Sequence, residues 1–466
     1  MNRKSFLWQS GGGLGGVALA HLLAQNSHGK STPDLNGGLH HPAKVKRVIQ
    51  LFMNGGASPM DTFDYKPELA KLHGQKIGPD NTPEGFTGKP GAILKSPFDF
   101  KQHGQSGQWV SSVFPHQAKH VDDMAFLMAM KTKTNVHGPA AYMMNSGFLL
   151  PGFPCLGAWA SYALGNLTDN LPTFVVLPDG RGLPYNERGT FSSGFLPPIP
   201  QGTVIKANSQ SPVPHLFANE QFSFATSESE REGLSLLKRI NKSHADEHPH
   251  DSRLESRIRT YELAAKMQLS APEAFDLSSE PKHIHQAYGT DNAVTEDFGR
   301  RCLLARRLCE RGTRFVQVWS GPQGNKNNWD NHGSISKELA PIAAAVDKPI
   351  AALIQDLKQR GLLDDTLLVF TGEFGRNPFA QNIGRDHNPQ GFSAWLAGGG
   401  TKGGTVFGAT DEFGYRAVEE ISNIYELWAT VLHLLGVDHD QLTFRYSGRD
   451  LRLTDVHGKV WHDIIA

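Results

Sequence analysis

The sequence predicts an α/β fold: a largely parallel central sheet with helices on both faces and a helical insertion. Three observations carry that expectation. Short apolar runs rich in β-branched or aromatic residues recur at VKRVIQLFM (45–53), MAFLMAM (124–130), TFVVL (173–177), RFVQVW (314–319), TLLVF (366–370) and SAWLAG (393–398). Helix-period segments alternate with these runs, which is the rhythm of strand–helix–strand units. Polar clusters follow the strands, and functional residues of such sheets collect at the carboxyl ends of the strands.

The elements follow in chain order. Residues 1–28 begin with Arg3 and Lys4, continue through a Gly-rich, weakly apolar stretch and offer a small-x-small site at Ala18-Leu19-Ala20. That layout predicts an export signal, twin-arginine-like with Lys in place of the second Arg, and hence a periplasmic or extracellular protein. A polar linker leads to a single domain over 45–466, whose first strand ends in the turn Asn54-Gly55-Gly56. Residues 74–110 read as a long ordered loop. In PIAAAVDKPIAALIQDLKQRG, Ile342, Val346, Ile350, Leu353, Ile354 and Leu357 share one helix face, with Pro349 a kink and Gly361 a stop. EDFGRRCLLARRLCERG and NIYELWATVLHLLGV read as helices in the same way. Residues 215–282 are polar and charged and read as the helical insertion. Within it HADEHPHD, with His244, His248 and His250, falls among charges and a proline and reads as a solvated turn.

Composition excludes some functions. Lys+Arg and Asp+Glu are 46 each, so no net charge favours nucleic acid or an anionic membrane, and no apolar run approaches the ~20 residues of a membrane helix. Three cysteines cannot make a disulfide framework, and a helix would separate Cys302 from Cys309 by roughly 10 Å.

The chemistry concentrates past the strands. After the first come Asn54, Ser58, Asp61 and Asp64; after the second, His137 and Ser146; after RFVQVWS, Asp330 and His332; after TLLVF, Glu373, Arg376, Arg385, Asp386 and His387. Carboxylates and imidazoles converging from several strand ends can hold a divalent metal ion, while arginines can grip an anionic group bidentately. Asp330, His332, Glu373, Asp386 and His387 are the expected ligands, with Asn54 and Asp61 as possible additions. Taken singly, GEFGR also reads as a turn closed by a Glu373–Arg376 pair, and RDH as a surface loop. A Ser/His/Asp hydrolase competes, but no Gly-x-Ser-x-Gly elbow is present.

Several of these stretches resemble a known family. GLLDDTLLVFTGEFG is similar to the sulfatase segment in which a Gly-Leu-Leu-Asp-Asn-Thr lead feeds a strand with an acidic end. HGPAAYMMNSG is similar to the sulfatase Cys-x-Pro-x-Arg signature, with Pro139 and Gly147 in register. MNGGASPMDTFDYKP, WDNHG, TGEFGRNP and GRDHNPQGFSAWLAGGGTKGGTVFGATDEFG, with the export signal, resemble an exported bacterial sulfatase-like family of unknown function. That family looks like a remote member of the alkaline phosphatase/sulfatase superfamily. The resemblance implies that superfamily's fold, one divalent ion (zinc, calcium or manganese) and a small anionic ester or sulfated glycan as ligand. It implies catalytic roles for His137, Arg376 and Arg385: His137 as nucleophile or general base, with a metal-bound water as the alternative nucleophile, and the arginines on the ester oxygens. The departures are as specific as the matches. His137 stands where the nucleophilic Cys or Ser belongs, Ala141 where the signature Arg belongs, Asn54 at the strand-one acid, and Glu373-Phe374 at the strand-end acid pair. Two readings follow: a metal-dependent hydrolase of sulfate or phosphate esters, or a degenerate member that binds an anion or glycan without turnover.

Overall fold

The computed structural model describes residues 39–76, 91–209, 212, 227–248, 273–324 and 326–466, with 254, 258, 261–263, 266 and 267 between. The expected export signal, residues 1–28, lies outside the described residues.

Each of the six apolar runs forms a strand: β1 (Arg47–Met53), β2 (Met124–Met130), β3 (Phe174–Leu177), β5 (Phe315–Ser320), β6 (Thr366–Thr371) and β9 (Phe392–Gly398). Two short edge strands, β4 (Thr203–Val204) and β10 (Val406–Phe407), complete an eight-stranded sheet of order β10-β2-β9-β6-β1-β5-β3-β4. All neighbours pair in parallel except β9, which runs antiparallel to both β2 and β6. Successive side chains of a strand point to opposite faces, and β1 divides accordingly. Ile49, Leu51 and Met53 enter one core with the helices α5 (Glu296–Glu310) and α6 (Ile335–Gln359). Val48 and Phe52 enter the other, with α1 (His137–Ser146), α2 (Leu156–Leu164) and α7 (Ile424–Leu434). A strand buried on both faces must be apolar at nearly every position, which is why these runs were legible.

Helix α6 continues through Pro341 and Pro349 and stops at Gln359, before Gly361 at φ +64°. Within 215–282, α3 (Ser227–Glu247) and α4 (residues 273–275) are described, and HADE belongs to the last turn of α3 rather than to a turn between elements. Helical geometry reaches Glu247 because Pro249 constrains only the residue before it. The 74–110 segment, expected as a loop, contains a hairpin of Phe100–His103 and Gln108–Ser111, where FKQH and QWVS pair across a Gly-containing turn. Among the described residues no helix is long and apolar enough to cross a membrane.

Past β6 the chain forms a second hairpin, β7 (Gly375–Gln381) and β8 (Gly384–Asn388), where GRDH had read as a loop. Its register shifts between Arg385 and His387, and such an irregularity re-aims side chains that a regular strand would place on one face. The Arg385 amide donates to the Asn331 carbonyl at 2.9 Å and the Ile335 amide to the Ile383 carbonyl at 3.1 Å, so the hairpin is tied to the loop carrying Asp330 and His332.

Candidate metal centre at the strand ends

Three imidazoles converge on one carboxylate oxygen. Asp330 Oδ1 lies 3.2 Å from His137 Nε2, 2.7 Å from His332 Nε2 and 3.1 Å from His387 Nε2, with Arg376 Nη2 at 2.7 Å. His332 Nε2 and His387 Nε2 are 2.9 Å apart. His137 is the first residue of α1, His332 and Asp330 come from the loop after β5, and His387 from β8.

Each ring is fixed by its other nitrogen. His137 Nδ1 meets Glu373 Oε1 at 2.6 Å, His387 Nδ1 meets the Asn135 carbonyl at 2.7 Å, and His332 Nδ1 meets Gln381 Oε1. The carboxylate and carbonyl oxygens can only accept, and the Gln381 oxygen likewise, so all three Nδ1 atoms are donors. In the neutral rings the three Nε2 atoms therefore carry lone pairs, all directed at one small region. Oriented imidazoles of this kind are what metal sites use: an acceptor on one nitrogen fixes the tautomer and turns the other into a ligand. Two facing lone pairs 2.9 Å apart repel unless a proton or a metal ion lies between them. His137 Nε2 is moreover buried without a hydrogen-bond partner, 3.2 Å from Asp330 Oδ1.

Electrostatics hold His387 neutral and draw His137 the other way. Burial lowers His387 to about 4; Asp330 opposes this, and Arg376 and His137 add to it, so the ring is neutral at pH 7. Burial also works against charge on His137, but the adjoining Asp330 and Glu373 carboxylates outweigh it and hold the ring above its ordinary value. Asp330 is depressed far below the carboxylate range: burial disfavours its charge, and the three imidazoles and Arg376 more than reverse that.

The donor set fits a divalent ion. His137, Asp330 and His387 offer ligand atoms within 4.8 Å of one another, as do His332, Asp386 and His387. Imidazole nitrogens with a carboxylate suit zinc, manganese or iron, whereas calcium takes oxygen ligands. Glu373, expected as a ligand, is placed behind His137. Its Oε1 and Oε2 accept from the Gly55 amide at 2.8 and 3.1 Å as well as from the ring. Gly55 sits at φ +113°, and a Cβ there would meet the Asp330 amide at 2.6 Å, so only glycine lets the β1 turn approach so closely.

The two arginines are committed elsewhere. Arg376 is fully buried and donates to the Gly55, Gly56 and Arg385 carbonyls besides facing Asp330. Arg385 pairs with Asp61 (Nε–Oδ2 2.5 Å, Nη2–Oδ1 3.2 Å) and donates to the Asn377 and Leu94 carbonyls; both side chains are buried. Neither guanidinium is presented as an open clamp, and Asp61 is spent on Arg385. Asn54 uses its amide on the Gly321 and Pro322 carbonyls, bracing the β1 turn against the loop after β5. The structure thus gathers His137, Asp330, His332, Asp386 and His387, sets Glu373 and Arg376 around them, and leaves Asn54, Asp61 and Arg385 in bracing positions.

Sequence reading missed Asn135, Gln381 and Tyr185. Tyr185 stacks on His137 (centroids 4.4 Å, 3° between planes) with its hydroxyl on the Gly324 carbonyl at 2.8 Å. Phe374 packs 4.8 Å from both His137 and His387, walling the cluster where the resemblance implied a ligand. Gln381 lies on the hairpin strand that pairs with His387's own, a neighbourhood set by register rather than by sequence spacing. Beside the cluster, a cleft of about 610 Å³ reaches Asp330 and is lined by Arg181, Lys326 and Lys337 among others.

Comparison with solved structures gives distant likenesses. Ps i-CgsB in complex with k-i-k-neocarrahexaose is 10% identical at TM-score 0.37, covering 87% of this chain and 75% of that one. The PsFucS1 sulfatase from Pseudoalteromonas sp. is 10% identical at TM-score 0.34, covering 89% and 72%. The alkaline phosphatase from the Antarctic bacterium TAB5 is 10% identical at TM-score 0.35, covering 85% and 99%. No curated protein matches the sequence. A family profile described as "Protein of unknown function (DUF1501)" matches residues 45–465, and the chain belongs to that family.

Proposed function

We propose that this protein is a metal-dependent hydrolase of sulfate or phosphate esters, exported from the cell, with one divalent ion held by His137, Asp330, His332 and His387 and with Asp386 beside them. The observation that carries the reading is the convergence of three Nδ1-anchored imidazoles on Asp330 Oδ1. An ion bound there would supply Lewis-acid polarisation of an ester oxygen. The residues supply the rest. Glu373, the Asn135 carbonyl and Gln381 hold the rings, Tyr185 and Phe374 exclude water from their faces, and Arg376 offsets the Asp330 charge. His137 is turned into the cluster by its Glu373 bond, so it serves as a ligand in this reading and the attacking nucleophile is water. With Arg376 and Arg385 committed, and Arg181 paired with Asp179, an anionic substrate is held from the cleft by Lys326 and Lys337.

The test is release of sulfate and of phosphate from aryl esters by the zinc- or manganese-loaded chain, beside His387→Ala. Turnover in the native sequence and none in the variant is expected; equal rates would refute the assignment. A second reading, binding of an anionic ligand without turnover, draws on the absence of a Cys or Ser at position 137 and on the enclosed arginines. It predicts saturable binding of a sulfated glycan with no ester cleaved at any metal load.

A further inference from the structure

A second group of metal-ligating side chains lies far along the chain from the strand ends, on the helical insertion. His244, Glu247 and His248 close α3 and its C-terminal edge, and their ligand atoms lie within 4.8 Å of one another. All three side chains are exposed. Positions i, i+3 and i+4 share one helix face, and two histidines at i and i+4 on one helix make a chelating pair for zinc. Here the acid falls between them, in the order His-x-x-Glu-His that certain zinc proteins also use.

The local geometry prepares the pair. His248 Nδ1 bonds to the His244 carbonyl at 2.9 Å, closing the turn and leaving Nε2 as the outward atom, and the two rings stand 4.4 Å apart between centroids. At 100° per residue, His244, Glu247 and His248 span about 100° of the helix circumference together with Leu237 and Ile240. Lys238, paired with Glu262 at 3.4 Å, lies about 130° from the centre of that stripe. Among the described residues, that pair leaves the ligand stripe exposed. Tetrahedral bonds of about 2.0–2.1 Å put ligand atoms roughly 3.3 Å apart, and exposed side chains reach that spacing by rotation alone.

We propose that His244, Glu247 and His248 form a surface site for a borderline divalent transition ion, zinc, nickel or copper(II). Two imidazoles and one carboxylate hold it and solvent completes the shell. Hard, oxygen-preferring ions such as magnesium and calcium are poorly matched to this donor set. The site is independent of the strand-end centre and of any activity there.

The test is calorimetric titration of the metal-free full-length chain with zinc chloride, in four forms: native, His332→Ala/His387→Ala, His244→Ala/His248→Ala, and both pairs together. The His332→Ala/His387→Ala form is expected to retain one equivalent that disappears when the α3 pair is also removed. Glu247→Gln in the same background weakens that equivalent by at least about threefold, and calcium gives no heat at this site. The exposed α3 residues can be replaced without disturbing a core, and unchanged thermal unfolding of His244→Ala/His248→Ala checks this. Zinc stoichiometry and affinity unaffected by His244→Ala/His248→Ala would overturn the proposal. Loss of binding in the His332→Ala/His387→Ala form alone would instead refute it while leaving the strand-end centre standing.

Discussion

Arg385 and His387 are two residues apart on one strand, yet they enter opposite kinds of buried polar cluster. Arg385 and Asp61 form a closed pair: opposite charges in contact, with the remaining guanidinium hydrogens on the Asn377 and Leu94 carbonyls. His387 enters an open cluster, in which three imidazole lone pairs and one carboxylate oxygen face a common region. The first is complete as it stands. The second has more acceptors than donors, an excess that the proposed ion would satisfy. Buried polar groups are satisfied in folded proteins, so the difference separates bracing from binding without appeal to sequence motifs.

The comparison breaks most visibly if the closed pair is opened. Asp61→Ala strands the Arg385 guanidinium in the core, and such losses cost about 3–5 kcal/mol. Chemical denaturation is expected to report that loss while the folded variant still binds metal at the strand ends. A variant of native stability would show that the pair is not closed in the sense argued.

The open cluster has a pH signature when free of metal. His387 titrates near 6.5 in the unfolded chain and near 4 in the fold. The unfolded chain therefore holds the extra proton between those values, and acid favours unfolding across that window by up to roughly 3 kcal/mol. His137 acts in the opposite sense: its raised value stabilises below about 6.5, and that contribution is lost as pH rises through its folded value. His387→Asn should flatten the fall of the unfolding temperature between pH 6.5 and 4. An unchanged slope would place the acid sensitivity elsewhere.

Smaller effects sharpen the account. Gln381→Ala frees the His332 ring to turn, and loss of such an orienting partner weakens metal binding by about 10–100-fold. Competition with a chromophoric chelator measures it, and Gln381→Glu should restore most of the affinity because a carboxylate also accepts from Nδ1. Tyr185→Leu removes the ring stacked on His137, worth about 0.5–1.5 kcal/mol, and should lower thermal stability slightly while leaving the strand-end ion bound.

Much of this was legible in the sequence, and the boundary has a physical cause. Strands buried on both faces, such as RVIQLFM and TLLVF, announce themselves because no polar residue is tolerated there for long. The ligand-type residues were legible as well, since imidazoles and carboxylates past strand ends have few structural uses in such number. Roles were not. In the proposed centre His137 and Glu373 exchange the roles expected of them because the α1 N-terminus and the end of β6 meet in space, with His137 and Glu373 236 residues apart in the chain. Gln381 and Asn135 act through an amide oxygen and a backbone carbonyl, which carry no sequence signal. The direction of Arg385 depends on a register shift in a hairpin that the sequence presents as a loop.

The central claim is that the three imidazoles and Asp330 hold one divalent ion. The direct measurement is the metal content of the purified chain in the His244→Ala/His248→Ala background, after exposure to zinc and manganese in turn and removal of excess. It is paired with anomalous diffraction at the edge of whichever metal is retained. The account predicts one equivalent, with the anomalous peak among His137, Asp330, His332 and His387, and none in the same chain carrying His332→Ala. No retained metal, or a peak away from those four residues, would contradict it.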